Sequence, residues 1–132
     1  MGEPVLNALL LIDNILTEDN GKKILIGIFN RFSFPSFPAQ APAWFIYASV
    51  DNLEGHNTFT FRLTLSETGE VAFSVGGEIQ INDASSGVEL ALPVPPIVFR
   101  RAGKYILEFL TNGSVLTSRI IQVAPMGTEV AK

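Results

Sequence analysis

The chain has 132 residues, enough for one domain with a substantial core and too few for a second folded unit beside it. At 47% hydrophobic and 17% charged it is globular, and a net charge of -4 excludes the clustered basic face that a nucleic-acid partner needs, since only Lys22-Lys23 and Arg100-Arg101 are basic doublets. It contains no cysteine, which excludes disulfides and thiolate chemistry and leads to the expectation of a cytoplasmic location.

The opening stretch has Glu3 in front of its apolar run, no basic segment and no small-residue cleavage site, and Asp13 interrupts it too early for a bilayer span; neither a signal peptide nor a membrane partner is expected. Leu6 stands where myristoylation would want Ser or Thr. Val5 to Leu16 and Lys23 to Asn30 are two apolar runs joined by Thr17-Glu18-Asp19-Asn20-Gly21, which reads as a hairpin or a bend between sheets. In the first run apolar residues occupy both parities, so a strand covered on both sides and a short buried helix are both allowed. Strand is preferred, because no N-cap precedes the run and a β-branched ILIGIF follows it. Gly27 inside that segment predicts a bulge or a close neighbour.

Phe29 to Pro42 changes character. Pro35, Pro38 and Pro42 alternate with Phe32, Phe34 and Phe37, which predicts an ordered extended crossover rather than a ladder-paired strand. Ala43 to Val50 resumes as a strand with large residues at both parities, including the single tryptophan, Trp44. A turn-rich loop over 51–57 precedes Thr58 to Leu65, where Phe59, Phe61, Leu63 and Leu65 alternate with Thr58, Thr60, Arg62 and Thr64: one face on a core, one face wet. Glu67 to Glu70 turns the chain into Val71 to Ile81, which keeps one apolar parity through Gly76-Gly77, and 82–87 is a further turn. Val88 to Phe99 carries Pro93, Pro95 and Pro96, so it predicts an edge strand followed by a crossover.

The least ambiguous element comes late. Asn112-Gly113 tolerates the positive φ angles of a type I′ turn, so Lys104 to Thr111 pairs with Ser114 to Ile121. With Thr111 facing Ser114, the register sets Tyr105 beside Ile120 and Phe109 beside Leu116. Phe99-x-x-x-Gly103-x-Tyr105 matches the lead-in to a tyrosine corner, and Tyr105 as a plain core aromatic is the competing reading. About eight short strands (seven to nine by the boundaries chosen) predict an all-β fold: an antiparallel sandwich with an immunoglobulin-like Greek key over residues 1–123, and a flexible tail over 124–132.

The succession LLLIDNILTEDNGKKILIGIFNRFSFPSFP, followed later by VFRRAGKYILEFLTNGS, resembles a group of small bacterial proteins classed only as a domain of unknown function. The shared features are structural: an apolar strand ending near an Asp, an acidic turn, a Gly-Lys, an Ile/Leu-x-Gly-Ile/Val-Phe strand and a Phe-Pro loop. The resemblance implies an immunoglobulin-like sandwich and no activity.

Reactive chemistry is sparse. His56, the single histidine, lies in a loop without the companion ligands of a zinc site or the fixed setting of a triad. Glu67 with Glu70, Glu18 with Asp19, and the lone Asp13 are explained by turns and solubility, and neither a calcium loop nor a phosphate loop has its spacing. No catalytic residue, metal or cofactor is expected. Two binding roles follow. In the first, the chain pairs with another protein or with itself through the edge strand Val88 to Val98 or the Phe/Pro loop, with Arg31, Phe32, Phe34, Phe37 and Trp44 as contact residues. In the second, the same aromatics form a platform for a sugar or small ligand. Against both stands the possibility that they plug the end of the core.

Overall fold

The computed structural model describes residues 4–82 and 87–126. Among them are eleven strands: β1 (Val5–Thr17), β2 (Lys23–Phe29), β3 (Arg31–Phe34), β4 (Ala39–Gln40), β5 (Trp44–Asp51), β6 (Gly55–Leu65), β7 (Val71–Ile81), β8 (Val88–Val94), β9 (Val98–Phe99), β10 (Gly103–Thr111) and β11 (Ser114–Pro125). The protein is all-β with several sheets, and among the described residues no helix is long and apolar enough to cross a membrane. Its contacts fall into two compact units.

The first unit takes the chain up to Phe29, then Pro42–Asn57 and Glu78–Pro96. Its sheet has the order β2-β1-β5-β8, antiparallel throughout. The run that could have been a helix is the strand β1, which pairs with β5 from Val5 to Ile12 and with β2 from Leu11 to Thr17, so that its backbone finds partners along its whole length. Its turn into β2 closes with Glu18 N–H donating to Lys22 O at 2.8 Å and Gly21 N–H to Glu18 O at 2.9 Å. The neighbour that Gly27 makes room for is Asp13: a Cβ on Gly27 would stand 2.8 Å from the Asp13 Cγ, and its φ of 76° is one that a side chain resists. β8 is an edge strand, with Pro93 set opposite Phe45. Leu9, Leu11, Trp44, Ile46, Ala48, Val50 and Val94 share one face and are all buried, each large side chain contributing about 1.5–3 kcal/mol before ordering costs.

The second unit holds Asn30–Ala41, Thr58–Gly77 and the chain from Ile97 onward. Its main sheet runs β3-β11-β10-β6-β7, and the same unit holds the two-stranded sheet β4-β9. Asn112 and Gly113 both have positive φ, 52° and 84°, as a type I′ turn requires, and Asn112 also ties the hairpin tip to β6 by accepting from Thr58 N–H at 2.9 Å. Thr111 does face Ser114, but a bulge between Phe109 and Leu110 shifts everything beyond it by one residue, so Tyr105 pairs with Ile121 and Phe109 with Thr117. The shift has a clear cause. It buries Ile121 and Val123 and leaves Ile120 at 56% exposed with the polar Gln122; the unshifted register would have done the reverse. The Tyr105 hydroxyl donates to Arg101 O at 2.8 Å, four residues upstream, the arrangement of a tyrosine corner.

Three expectations change here. The Phe/Pro stretch is not free of ladder pairing: β3 lies parallel to β11 and β4 antiparallel to β9, which is possible because Pro35 and Pro38 fall just outside the paired segments. β11 runs on to Pro125 in register with Phe34, past the Val123 boundary set for a tail; residues 127–132 lie outside the described residues, as does the turn at 83–86. The loop over 51–57 is shorter than expected, since β6 starts at Gly55.

Candidate functional site

The residues expected to bind are divided between the two units. Arg31 is exposed at the start of β3. Phe32 is buried and stacks on Phe34 at 5.9 Å and 10°, Phe34 meets Phe37 edge-on at 5.9 Å, and both Phe32 and Phe34 contact Phe99, which in turn meets Tyr105 edge-on at 5.1 Å. Phe99 and Tyr105 are buried, so this is a chain of rings running into the core of the second unit, with Phe34 and Phe37 half-buried at its end. Aromatic pairs of this geometry add about 0.5–1.5 kcal/mol each to their area burial, and the arrangement is that of a plug. Trp44 belongs to the first unit. It is 1% exposed and packs edge-on against Phe29 at 5.9 Å, so the sugar-stacking role expected of it is overturned: no face of the indole is open.

Among the described residues, the groups considered for chemistry do not come together in one cluster. His56 is in strand β6 rather than a loop, its side chain exposed and 3.3 Å from the equally exposed Glu78. Among the described residues there is no group of three or more His, Cys, Asp or Glu side chains able to hold a metal ion. A cavity of about 290 Å³ in the second unit is floored by Leu65, Val71, Ile97 and Val98, with Glu70 and Arg100 at its rim, 3.7 Å apart and both well exposed. A solvated pair of that length holds no reacting group in place. Tyr105 also lines this cavity, but its hydroxyl is engaged by Arg101 O, and burial pushes its pKa up.

What the backbone does assemble is the second face of the first unit's sheet. Cross-strand partners point the same way, so the register places Leu16 with Ile24, Ile12 with Ile28 and Phe45, Phe45 with Pro93, and Leu10 with Tyr47 and Ala91, all on one face with Ile26. Asn14, Ser49, Asp51 and Glu89 are polar residues on the same face. Glu89 accepts a hydrogen bond from the Tyr47 hydroxyl; burial raises the Tyr47 pKa first, and Glu89 adds to the rise. Ile12 and Tyr47, at the centre, are buried, whereas at the β2 side Leu16 is 47%, Ile24 40%, Ile26 44% and Ile28 60% exposed. Four large aliphatic side chains in one contiguous, half-open patch are more than scattered surface hydrophobics account for. Sequence reading passed over these residues although the signal was there: Ile24, Ile26 and Ile28 alternate with Leu25 and Phe29, apolar at both parities.

Fold and site together define an all-β protein with an apolar sheet face and no assembled catalytic group among the described residues. The chain belongs to a family of unknown function, DUF6941, whose model matches residues 7–124. No match to a curated protein was found.

Proposed function

We propose that the protein is a non-catalytic interaction module that engages another polypeptide through the apolar face carried by β1 and β2. The observation that carries this reading is the row Leu16, Ile24, Ile26 and Ile28, left between 40% and 60% exposed on the face of the sheet opposite the buried Leu9, Leu11, Trp44, Ile46 and Val50. It revises the surfaces expected from the sequence. The β8 edge is interrupted by Pro93, and the rings of the Phe/Pro loop are largely engaged with one another. An immunoglobulin-like Greek-key sandwich is the architectural half of the proposal, supported by the Tyr105 to Arg101 bond and the seven-strand-plus pattern of the chain. A cytoplasmic location goes with it, supported by a sequence that folds without cysteine.

A photoreactive phenylalanine analogue at position 26, compared with one at position 115, tests the reading in cells. Val115 is 50% exposed but lies on β11, in a different sheet. Covalent capture of a discrete polypeptide from position 26, absent at 115 and lost when Ile24→Lys is added, is the expected result. Absence of any adduct at position 26 would reject the module.

A further inference from the structure

We infer that the polypeptide engaged is a second copy of this chain, joined β2 to β2 in antiparallel fashion about a two-fold axis at Ile26. The inference rests on the interaction reading above and names its partner.

Four observations lead there. First, the sheet β2-β1-β5-β8 has two edges of unequal character. β8 carries Pro93, which cannot donate to a ladder, and an exposed Glu89; β2 carries neither proline nor acid. A sheet with one blocked and one open edge extends once and stops, which gives a closed dimer rather than a filament. Second, β2 reads Ile24-Leu25-Ile26-Gly27-Ile28, symmetric in its isoleucines about residue 26. Antiparallel pairing centred there sets Ile26 against its own copy and Ile24 against Ile28 of the other, so three isoleucine pairs line one face. Cross-strand pairs of this kind are the unit of sheet stabilisation. Third, the same register sets Leu25 against Gly27, which brings no side chain of its own and leaves only that of Asp13 beside it. Fourth, the two-fold keeps the lysines of the two copies apart. Lys23, first in the strand, and Lys22 before it go to opposite ends of the joint, Lys23 against Phe29 of the other copy. A parallel pairing would stack them. A strand-to-strand joint of this length belongs to the small, reversible class of interfaces, so the dimer forms and dissociates with concentration.

The test uses sedimentation of the full chain. The native protein is expected to shift with concentration from 14.3 kDa toward twice that mass. Because residue 26 meets itself, Ile26→Lys and Ile26→Glu each set like charges on the axis and sediment as monomers, while an equimolar mixture of the two regains the doubled mass. Ile120→Lys, on β11 and equally exposed, stays dimeric. A native chain that remains monomeric up to about 1 mM overturns the self-pairing whether or not the variants fold. A mixture that fails to associate also overturns it. Binding of 1-anilinonaphthalene-8-sulfonate then separates the two proposals. A monomer that binds the dye, and loses that binding in Ile26→Lys, has an open apolar face for a different polypeptide. A monomer that binds none has no such face, and the interaction module falls as well.

Discussion

The two main sheets are built from the same backbone ladder yet differ in what their faces carry. In the β3-β11-β10-β6-β7 sheet one face is closed by Phe61, Leu63, Leu107, Phe109 and Ile121, and the other carries Thr60, Arg62, Thr64, Glu108, Ser118 and Gln122, with the apolar pairs Ile106–Ile120 and Leu110–Val115 among them. Arg62 and Glu108 sit directly opposite each other there and are joined at 2.8 Å. In the β2-β1-β5-β8 sheet one face is closed over Leu9, Leu11, Trp44, Ile46, Ala48, Val50 and Val94, but the other carries isoleucine, leucine, phenylalanine, tyrosine and proline, with Asn14, Ser49, Asp51 and Glu89 as polar residues. The difference is between a strand that alternates and one that does not. Alternation assigns one face to water; apolar residues at both parities assign each face a contact.

The largest effect separates the closed faces from the open one. Phe61 and Phe109 stack at 4.7 Å and 19° and are fully buried, so Phe61→Ala removes a ring that the surrounding strands cannot replace. Chemical denaturation should register a loss of about 3–5 kcal/mol. Ile26→Ser, in dilute solution, should change stability by no more than about 0.5 kcal/mol, since that side chain is already half in water. A loss of several kcal/mol from Ile26→Ser would break the comparison, because it would mean that the face is covered within the monomer.

The elements with local causes could be read from the residues alone. Asn112-Gly113 forces its turn, Phe59 to Leu65 alternates without exception, and Pro93 confines β8 to an edge; each of these is decided within a few positions of the chain. What escaped was decided elsewhere. The one-residue shift in β11 comes from the competition between Ile120 and Ile121 for the buried side, and from the parallel pairing of Val123 with Phe32, which is remote in sequence. The strands β3 and β4 were hidden because proline counts against pairing as a residue type, whereas only its exact position relative to the ladder matters. For Trp44 the residues alone left a surface ring and a core plug both open; its burial follows from sharing a face with Ile46, Ala48 and Val50. The patch on β2 was legible but not singled out, since apolar residues at both parities do not say which of two faces is filled.

The two tyrosines sharpen the comparison, one on each sheet. Tyr105→Phe should cost about 1 kcal/mol in the same denaturation experiment, because Arg101 O loses a donor in a buried setting. Both phenols are raised above the ordinary value of 10.0, Tyr105 by burial and Tyr47 by burial and then Glu89. A phenol raised by folding binds its proton more tightly in the folded chain; the resulting stability is whole below pH 10 and is lost as the pH climbs through the folded-state value. Phenolate absorbance of the native protein should therefore develop at higher pH than that of the denatured chain. Glu89→Gln should bring one of the two phenols down and leave the other, that of Tyr105, unmoved. A single transition shared by native and denatured protein would contradict both assignments.

The smallest effect tests the wet face. The Arg62 side chain is 36% exposed and that of Glu108 26%, and both guanidinium contacts, 3.0 and 2.8 Å, fall on one carboxylate oxygen, Oε1. Such a pair gains little over its hydration and must hold two long side chains in one geometry, so its coupling, measured by a double-mutant cycle with Arg62→Ala and Glu108→Ala, should be about 0.5 kcal/mol and should shrink as salt is raised. A coupling above about 2 kcal/mol that salt does not reduce would mean that water has been excluded from this face too. It would then need a covering partner of its own, and the contrast between a sheet with one occupied face and a sheet prepared for two would disappear.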